Sequence, residues 1–494
     1  MIFLSRSILF SFVLLPILFL FSAPPHAQNT QVPGIPPLIQ TTRGVPQKLT
    51  RVVQYIERLE ARLEELSAKV NTLEAQNSAL FSIVSISGNN IIFEGVNLHI
   101  RSGGGSSQSC GGTGLGNLII GYDEDDGADQ KTGCHYLIVG PAHTYTGHSG
   151  LVSGDDNAST APYATVIGGW RNEAVGYGAI VNGGKYNTAM DERTFVGGGY
   201  HNTAASSNSA VFGGGYNNAA GPGSSVVGGE INVAEGNAAT VVGGRENKTQ
   251  APYSAVAGGR FNTASGDFSS VFGGGFENGL QQPSNIAIGR YSTVVGGVNN
   301  ETIGKYSTVV GGEANNALGE YSVASGGLSN TASGHWSTAI AGFSNEASGD
   351  YSKVGGGALN LSSGVRSVVG AGIGNNASGE GAMAAGGTNN KATGKVSSVT
   401  GGNFNTASGN AAVVSAGLSN IATGANSSVS GGDSNFANGK NSSVSGGMDN
   451  HISIFGRAQS ISGGRDCTVS FDFEWGVGDT DSDPKNGCLI VNFR

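Results

Sequence analysis

A fifteen-residue period runs through most of this chain. Glycine pairs fall at Gly168-Gly169, Gly183-Gly184, Gly198-Gly199, Gly213-Gly214, Gly228-Gly229, Gly243-Gly244, Gly258-Gly259 and Gly273-Gly274, each fifteen residues after the last. After one interruption the beat resumes at Gly296-Gly297 and continues to Gly446-Gly447, with Ala in first place at Ala341, Ala371 and Ala416. A strict period of this length specifies a solenoid, in which each coil buries its apolar side only against its neighbours. Function then belongs to a repeated surface rather than to one pocket.

The repeat positions have distinct physical roles. Three residues before the second glycine stands Val, as in Val166, Val181, Val196 and Val309, with Ala324, Ala339 and Ala384 as exceptions. The Val sits in a short segment of Ser, Thr and Val, which favour strands, and alternation turns it inward. Three residues after the second glycine stands Asn, as in Asn172, Asn187 and Asn315, with Glu277 the one miss. Asn tolerates left-handed turns and can bond along a stack of coils. Two residues further, Ala174, Ala204, Ala317 and others form a second inward column. The glycine pair permits a turn with positive φ. Fifteen residues hold two short strands and two turns, which predicts a flat, two-sided β-roll. About twenty coils at the strand spacing make a rod roughly 95 Å long.

Gly makes up 84 of 494 residues, but a period of fifteen excludes collagen, and regular Val and Ala ladders exclude disorder. The net charge of −9 is thinly spread and no Lys/Arg cluster occurs, so nucleic acid is not an expected partner. Arg6, an apolar run from Ile8 to Phe21 and small residues near Ala23 to Ala27 read as a signal peptide over 1–27, cleaved after Ala27. An uncleaved anchor is the alternative, although the run is short for a span. Export makes disulfides the expected state of the four cysteines, with Cys110 pairing Cys134 and Cys467 pairing Cys488 as staples on the end caps. Unpaired buried thiols are the alternative.

Residues 28–46 are a Pro-rich linker. Residues 47–81 carry heptads, with Leu49, Ile56, Leu63, Val70 and Asn77 at a and Val52, Leu59, Leu66, Leu73 and Leu80 at d. This spacing predicts a coiled coil, in which Asn77 fixes register. Its core residues alone leave dimer and trimer open. A single amphipathic helix on a globular domain is the blander alternative. Residues 82–160 read as a neck and N-terminal cap coils, 161–450 as the repeat array and 451–494 as a C-terminal cap. The gap between Gly274 and Gly297 reads as one enlarged coil with a loop at Leu280 to Ser284.

The repeats resemble the head of trimeric autotransporter adhesins, the YadA-like family, whose repeat reads roughly Asn-Ser-Val-Ala-Ile-Gly-x-x-Ser-x-Ala-x-Gly. Asn285-Ile286-Ala287-Ile288-Gly289 is the nearest match, and elsewhere Ile-Gly becomes Gly-Gly and Ser becomes Asn. The resemblance covers roughly residues 115 to 465. It implies a left-handed parallel β-roll, three chains side by side, and adhesion to matrix or other surfaces. Two departures matter. The coiled coil precedes the head here, and the tail lacks the pattern of membrane barrel strands. Self-export and barrel anchoring therefore do not carry over.

Aromatics recur nine residues after the second glycine, as Tyr163, Tyr253, Phe268 and then continuously as Tyr291, Tyr306, Tyr321, Trp336 and Tyr351. Such a stripe can bind glycans or a protein, or can stack at a turn or be buried between chains. Asp479, Asp481, Asp483 and Asn486 alternate as calcium ligands do, although Pro484 and Ile490 stand where a calcium loop wants Gly and Glu. Asp123, Asp125, Asp126 and Asp129 read as a solvated loop. No Ser-His-Asp or Cys-His set has supporting context, so the chain is not expected to be an enzyme, and no cofactor is expected beyond the calcium candidate. The leading expectation is a secreted or cell-surface homotrimeric fibre that adheres to matrix, glycans or cell surfaces. A non-binding extracellular rod is the second reading. An ice-binding solenoid is the third, against mixed outward positions where that class wants flat Thr ladders.

Overall fold

The computed structural model describes residues 47–275, 285–455, 457–470, 472, 474–477 and 489–492. The leader, the linker, the loop at Leu280 to Ser284, the calcium candidates Asp479, Asp481, Asp483 and Asn486, and Cys488 lie outside these residues. The chain divides into two units, one through His99 and one from Ile100.

The first unit holds one helix, Gln47–Phe81, and an antiparallel hairpin of Val84–Ser87 with Asn90–Phe93. The helix carries an i,i+4 pair, Lys69 with Glu65, at 2.7 Å. Its heptad residues Val52, Ile56, Leu59, Leu63, Leu66, Val70 and Leu73 are exposed, as are Ile86, Ile91 and Phe93 of the hairpin. Among the described residues, no helix is long and apolar enough to cross a membrane.

The second unit is an all-β parallel solenoid of about 23 turns. Each regular coil gives one short strand to each of two parallel ladders. In the valine ladder Val166 pairs with Val181 and Val181 with Val196. In the alanine ladder Ala174 pairs with Ala189 and Ala189 with Ala204. Both registers advance by the fifteen-residue period, so each repeat position stacks on the same position of the next coil. The coil also has a third line of contact beyond the two-sided reading. A single residue after each glycine pair bridges to the next coil, as Trp170 does to Lys185 and Lys185 to Tyr200.

The core is narrow. The Val and Ala columns are fully buried, and so is a third inward column, two residues before the valine, that holds Ala179, Ser209, Ser307 and Ser322. Sequence reading missed this column because serine is polar. Some of its hydroxyls are bonded locally, as where Ser307 Oγ donates to Gly304 O at 2.6 Å, whereas those of Ser224, Ser322, Ser337, Ser352 and Ser397 have no hydrogen-bond partner.

The two glycines of each pair differ. Gly229 has φ +86°, and a Cβ there would meet Gly244 O at 2.1 Å, whereas a Cβ on Gly228 would meet nothing within 4 Å. Ala is therefore tolerated only in first place, at Ala341, Ala371 and Ala416.

Each buried Asn is fully bonded. The Asn315 amide Nδ2 donates to Gly311 O and to Gly327 O of the next coil, both at 3.1 Å. This ladder survives the irregular coil, because Asn285 rather than Glu277 fills the position. Asn285 Nδ2 donates to Asn262 Oδ1 at 3.1 Å and to Gly297 O at 2.9 Å. Ile286 and Ala287 pair with Thr263 and Ala264 of the alanine ladder. The extra residues thus lie in sequence between Gly275 and Asn285.

Large apolar strands begin the solenoid: Leu118–Ile120, Leu137–Val139 and Leu151–Ser153, in parallel. Beside them Cys110 is bonded to Cys134, with Cα atoms 5.2 Å apart. At the other end the ladders run past residue 450, where the sequence places the cap. Val444 pairs with Ile461 and Ile452 with Val469, and the Cys467 N–H donates to Asn450 Oδ1 at 3.1 Å in place of an asparagine. Cys467 is itself disulfide-bonded. The antiparallel pair of Glu474–Val477 with Leu489–Asn492 ends the valine ladder.

Candidate functional site

The second turn of each coil places one residue in the left-handed region just before the buried Ser column. In seven successive coils that residue is aromatic, Tyr253, Phe268, Tyr291, Tyr306, Tyr321, Trp336 and Tyr351, with φ between 56° and 59°, and the first six of these form one stack. Each backbone N–H is held by the preceding coil, as Tyr306 N–H is by Arg290 O at 2.9 Å. The rings stack face to face, with centroids 4.8, 4.9, 5.0, 4.9 and 4.2 Å apart along the series. The stack thus starts two coils before the expected run and crosses the irregular coil. Tyr351 is not part of it, and instead meets His335 edge-on at 6.2 Å.

The solenoid does not require aromatics here. The same position holds Gly178, Asn208, Gly223, Ala238, Arg366 and Gly381 in other coils. A left-handed conformation costs a residue with a Cβ roughly 1–2 kcal/mol, and each stacked pair returns about 0.5–1.5 kcal/mol. Inside the run the ring faces are closed against one another. What the row presents to solvent is a comb of ring edges and phenol hydroxyls at the coil spacing. Charges flank it: Arg290 lies 5.0 Å from the Tyr291 ring, Lys305 lies 5.0 Å from the Tyr306 ring, and Glu320 lies 3.5 Å from His335.

A second aromatic cluster occupies the other turn, next to the glycine pairs, and sequence reading did not single it out. His201 stacks between Tyr186 and Tyr216 at 4.7 and 5.0 Å. Lys185 lies 4.1 Å from the centre of the Trp170 ring and Arg171 lies 4.6 Å from it. Tyr216 meets Tyr200 edge-on at 5.2 Å, and its hydroxyl raises the Tyr200 phenol above its ordinary value. The signal was present as aromatics one and two residues after the pair.

The outer face of the valine ladder differs from the rest of the surface in charge. Its two outward columns, from Thr165–Ile167 to Ser443–Ser445, contain a single charged residue, Lys353. Ile167, Phe212, Val227, Val242, Phe272, Val295, Val310 and Ile340 are exposed along one of these columns. The outer face of the alanine ladder, by contrast, carries Glu173, Glu235, Lys248, Glu301, Glu346 and Lys391.

The acidic loop near the N-terminal cap is not simply solvated. Asp125 and Asp126 cap the amides of Gly127 and Ala128 at 2.8 and 2.9 Å, but Asp123 and Asp129 turn inward around Lys131. Burial holds the Asp129 carboxyl above the usual carboxylate range.

No protein-family model matches the chain, and no curated protein is similar to it in sequence.

Proposed function

We propose that this chain forms a secreted or cell-surface fibre, adhesin-like and trimeric, that holds to matrix or glycan surfaces through its aromatic turn row. One observation carries the reading: seven consecutive coils keep an aromatic ring at a left-handed position that the fold fills elsewhere with Gly, Asn, Ala, Arg or Val. The backbone conformation is common to the coils, so what needs a use is the unbroken choice of large rings where the scaffold accepts smaller side chains. Because the ring faces are closed, the ligand that fits is a polar polymer whose hydroxyls and amides meet the ring edges and the flanking Arg290 and Lys305.

Two surfaces suited to self-association support the reading. Exposed heptad residues along Gln47–Phe81 are matched to a parallel coiled coil, and the uncharged outer face of the valine ladder is matched to lateral packing of left-handed rolls. A narrow Val/Ala core buries little apolar surface per coil, so packing between chains adds what the single coil lacks. The aromatic row then lies on the solvent side of the assembly.

A non-binding rod is the second reading, favoured by the C-terminal coils, whose turn position holds Gly381, Val396, Ala411 and Asn426. Adsorption of the full chain to collagen-coated and polysaccharide-coated surfaces separates the two. Binding that is lost when Tyr291, Tyr306 and Tyr321 are all replaced by Asn supports the aromatic row as the contact. Equal binding by both proteins contradicts it, and no binding by either favours the rod.

A further inference from the structure

The N-terminal cap holds a cluster of reactive side chains that no surface contact uses. Lys131 Nζ lies 3.2 Å from Asp123 Oδ1 and 3.9 Å from Asp129 Oδ2. The same nitrogen donates to the backbone carbonyls of Asp123 and Glu124, which hold it beside the Asp123 carboxyl. Asp123 Oδ2 accepts a hydrogen bond from the Tyr145 hydroxyl at 2.8 Å, while Oδ1 has no hydrogen-bond partner. The group is withdrawn from water: the side chains of Lys131, Asp123 and Asp129 are 20%, 10% and 5% exposed. Tyr145 is 3% exposed and packs against Tyr136 at 5.6 Å.

We propose that Lys131 and Asp123 condense to an intramolecular isopeptide bond. The ion pair supplies both partners. A proton passes from the ammonium to the Asp123 carboxylate, leaving an amine and a carboxylic acid. The amine nitrogen then adds to Asp123 Cγ. The oxygen that gains charge is Oδ2, where the Tyr145 hydroxyl is already in place as its hydrogen-bond donor. Asp129 takes the proton from the added nitrogen and delivers it to Oδ1, which leaves as water. One C–N bond forms and one C–O bond breaks. No atom changes oxidation state, so no oxidant or reductant is needed. Two features favour the amide over its hydrolysis: the fixed approach of nitrogen to carbon, and the exclusion of bulk water from the cluster.

The position gives the bond a purpose. Residues 123 and 131 lie inside the loop closed by Cys110 and Cys134. The cap coil would thus carry two covalent staples, one of them insensitive to reductants.

Intact mass spectrometry of the reduced and alkylated full chain tests this. The expected mass is short by one water, with Asp123 and Lys131 in one branched peptide after proteolysis. Lys131→Arg and Asp129→Asn should each restore the full mass, the second while both bond-forming residues remain. Asp126-Gly127 is a separate site of water loss through a cyclic imide, but that loss reopens in mild base and persists in Lys131→Arg. A full-length mass in the wild-type chain overturns the proposal, as does a water loss that Lys131→Arg leaves in place. Either result makes Lys131 a purely ionic clamp.

Discussion

The side-chain oxygen of Asn315 accepts the backbone N–H of Asn330 at 2.9 Å, and the Asn315 N–H is in turn accepted by Asn300 at 2.9 Å. Repeated coil after coil, this head-to-tail contact makes one polar spine inside an otherwise small apolar core. Because every donor and acceptor of the buried amide is used, the spine sets the register of each coil against the next.

Removing one link should be costly. Asn315→Ala leaves Gly311 O and the Asn330 N–H buried without their partner, while Gly327 O keeps only the Glu313 N–H, and each orphaned group costs about 1–3 kcal/mol. A loss of about 3 kcal/mol is expected by denaturant titration, with faster amide exchange in the flanking coils. Asn316→Ala, on the outward side next door, should stay within about 0.5 kcal/mol. Equal effects would contradict a register role for the spine.

The two glycines of a pair should respond differently. Gly228→Ala meets open space and should leave the melting temperature almost unchanged. Gly229→Ala adds a Cβ at φ +86° facing Gly244 O at 2.1 Å, and should cost about 2 kcal/mol or more. Similar melting temperatures for the two variants would refute the close-approach argument.

Much of this was legible because the period repeats each role some twenty times over. Val309, Asn315 and the glycine pairs declare themselves by position alone. Other features hide for physical reasons. Ser307 is inward but polar, so a hydrophobic pattern passes over it. Trp170 and Tyr200 fall one residue after the pair while Tyr186, His201 and Tyr216 fall two after, and only stacking across coils joins them. The C-terminal coils change spacing between Val444 and Ile461 and exchange Asn for Cys467, which breaks the beat without breaking the ladder. The Lys131 cluster depends on irregular cap loops that no period constrains.

The aromatic row should trade little stability for its contacts. Tyr306→Asn loses two stacking partners but relieves a left-handed tyrosine, for a net change of about 1 kcal/mol. The same variant should measurably lower adsorption to a bound surface. A large drop in melting temperature with unchanged adsorption would make the row structural.

The buried Asp129 sets a pH dependence on the cap. Its carboxyl is raised above 3.8 by burial, so the folded cap keeps this proton to higher pH than the unfolded chain does. The associated stability is present below the unfolded value and is lost as pH rises through the folded one. Protection of the Ile138 amide, taken relative to its intrinsic exchange rate, should therefore fall across that window in the wild-type chain, and not in Asp129→Asn. Protection that is flat in both proteins, or that grows with rising pH, would contradict the assignment.

The central claim is an assembly of three chains whose uncharged faces are packed together. The solution mass of residues 28 to 494, by light scattering with sedimentation, tests it most directly. Three times the chain mass is the predicted result. A monomer at micromolar concentration, with the heptad seam and the valine face both left in water, would contradict it.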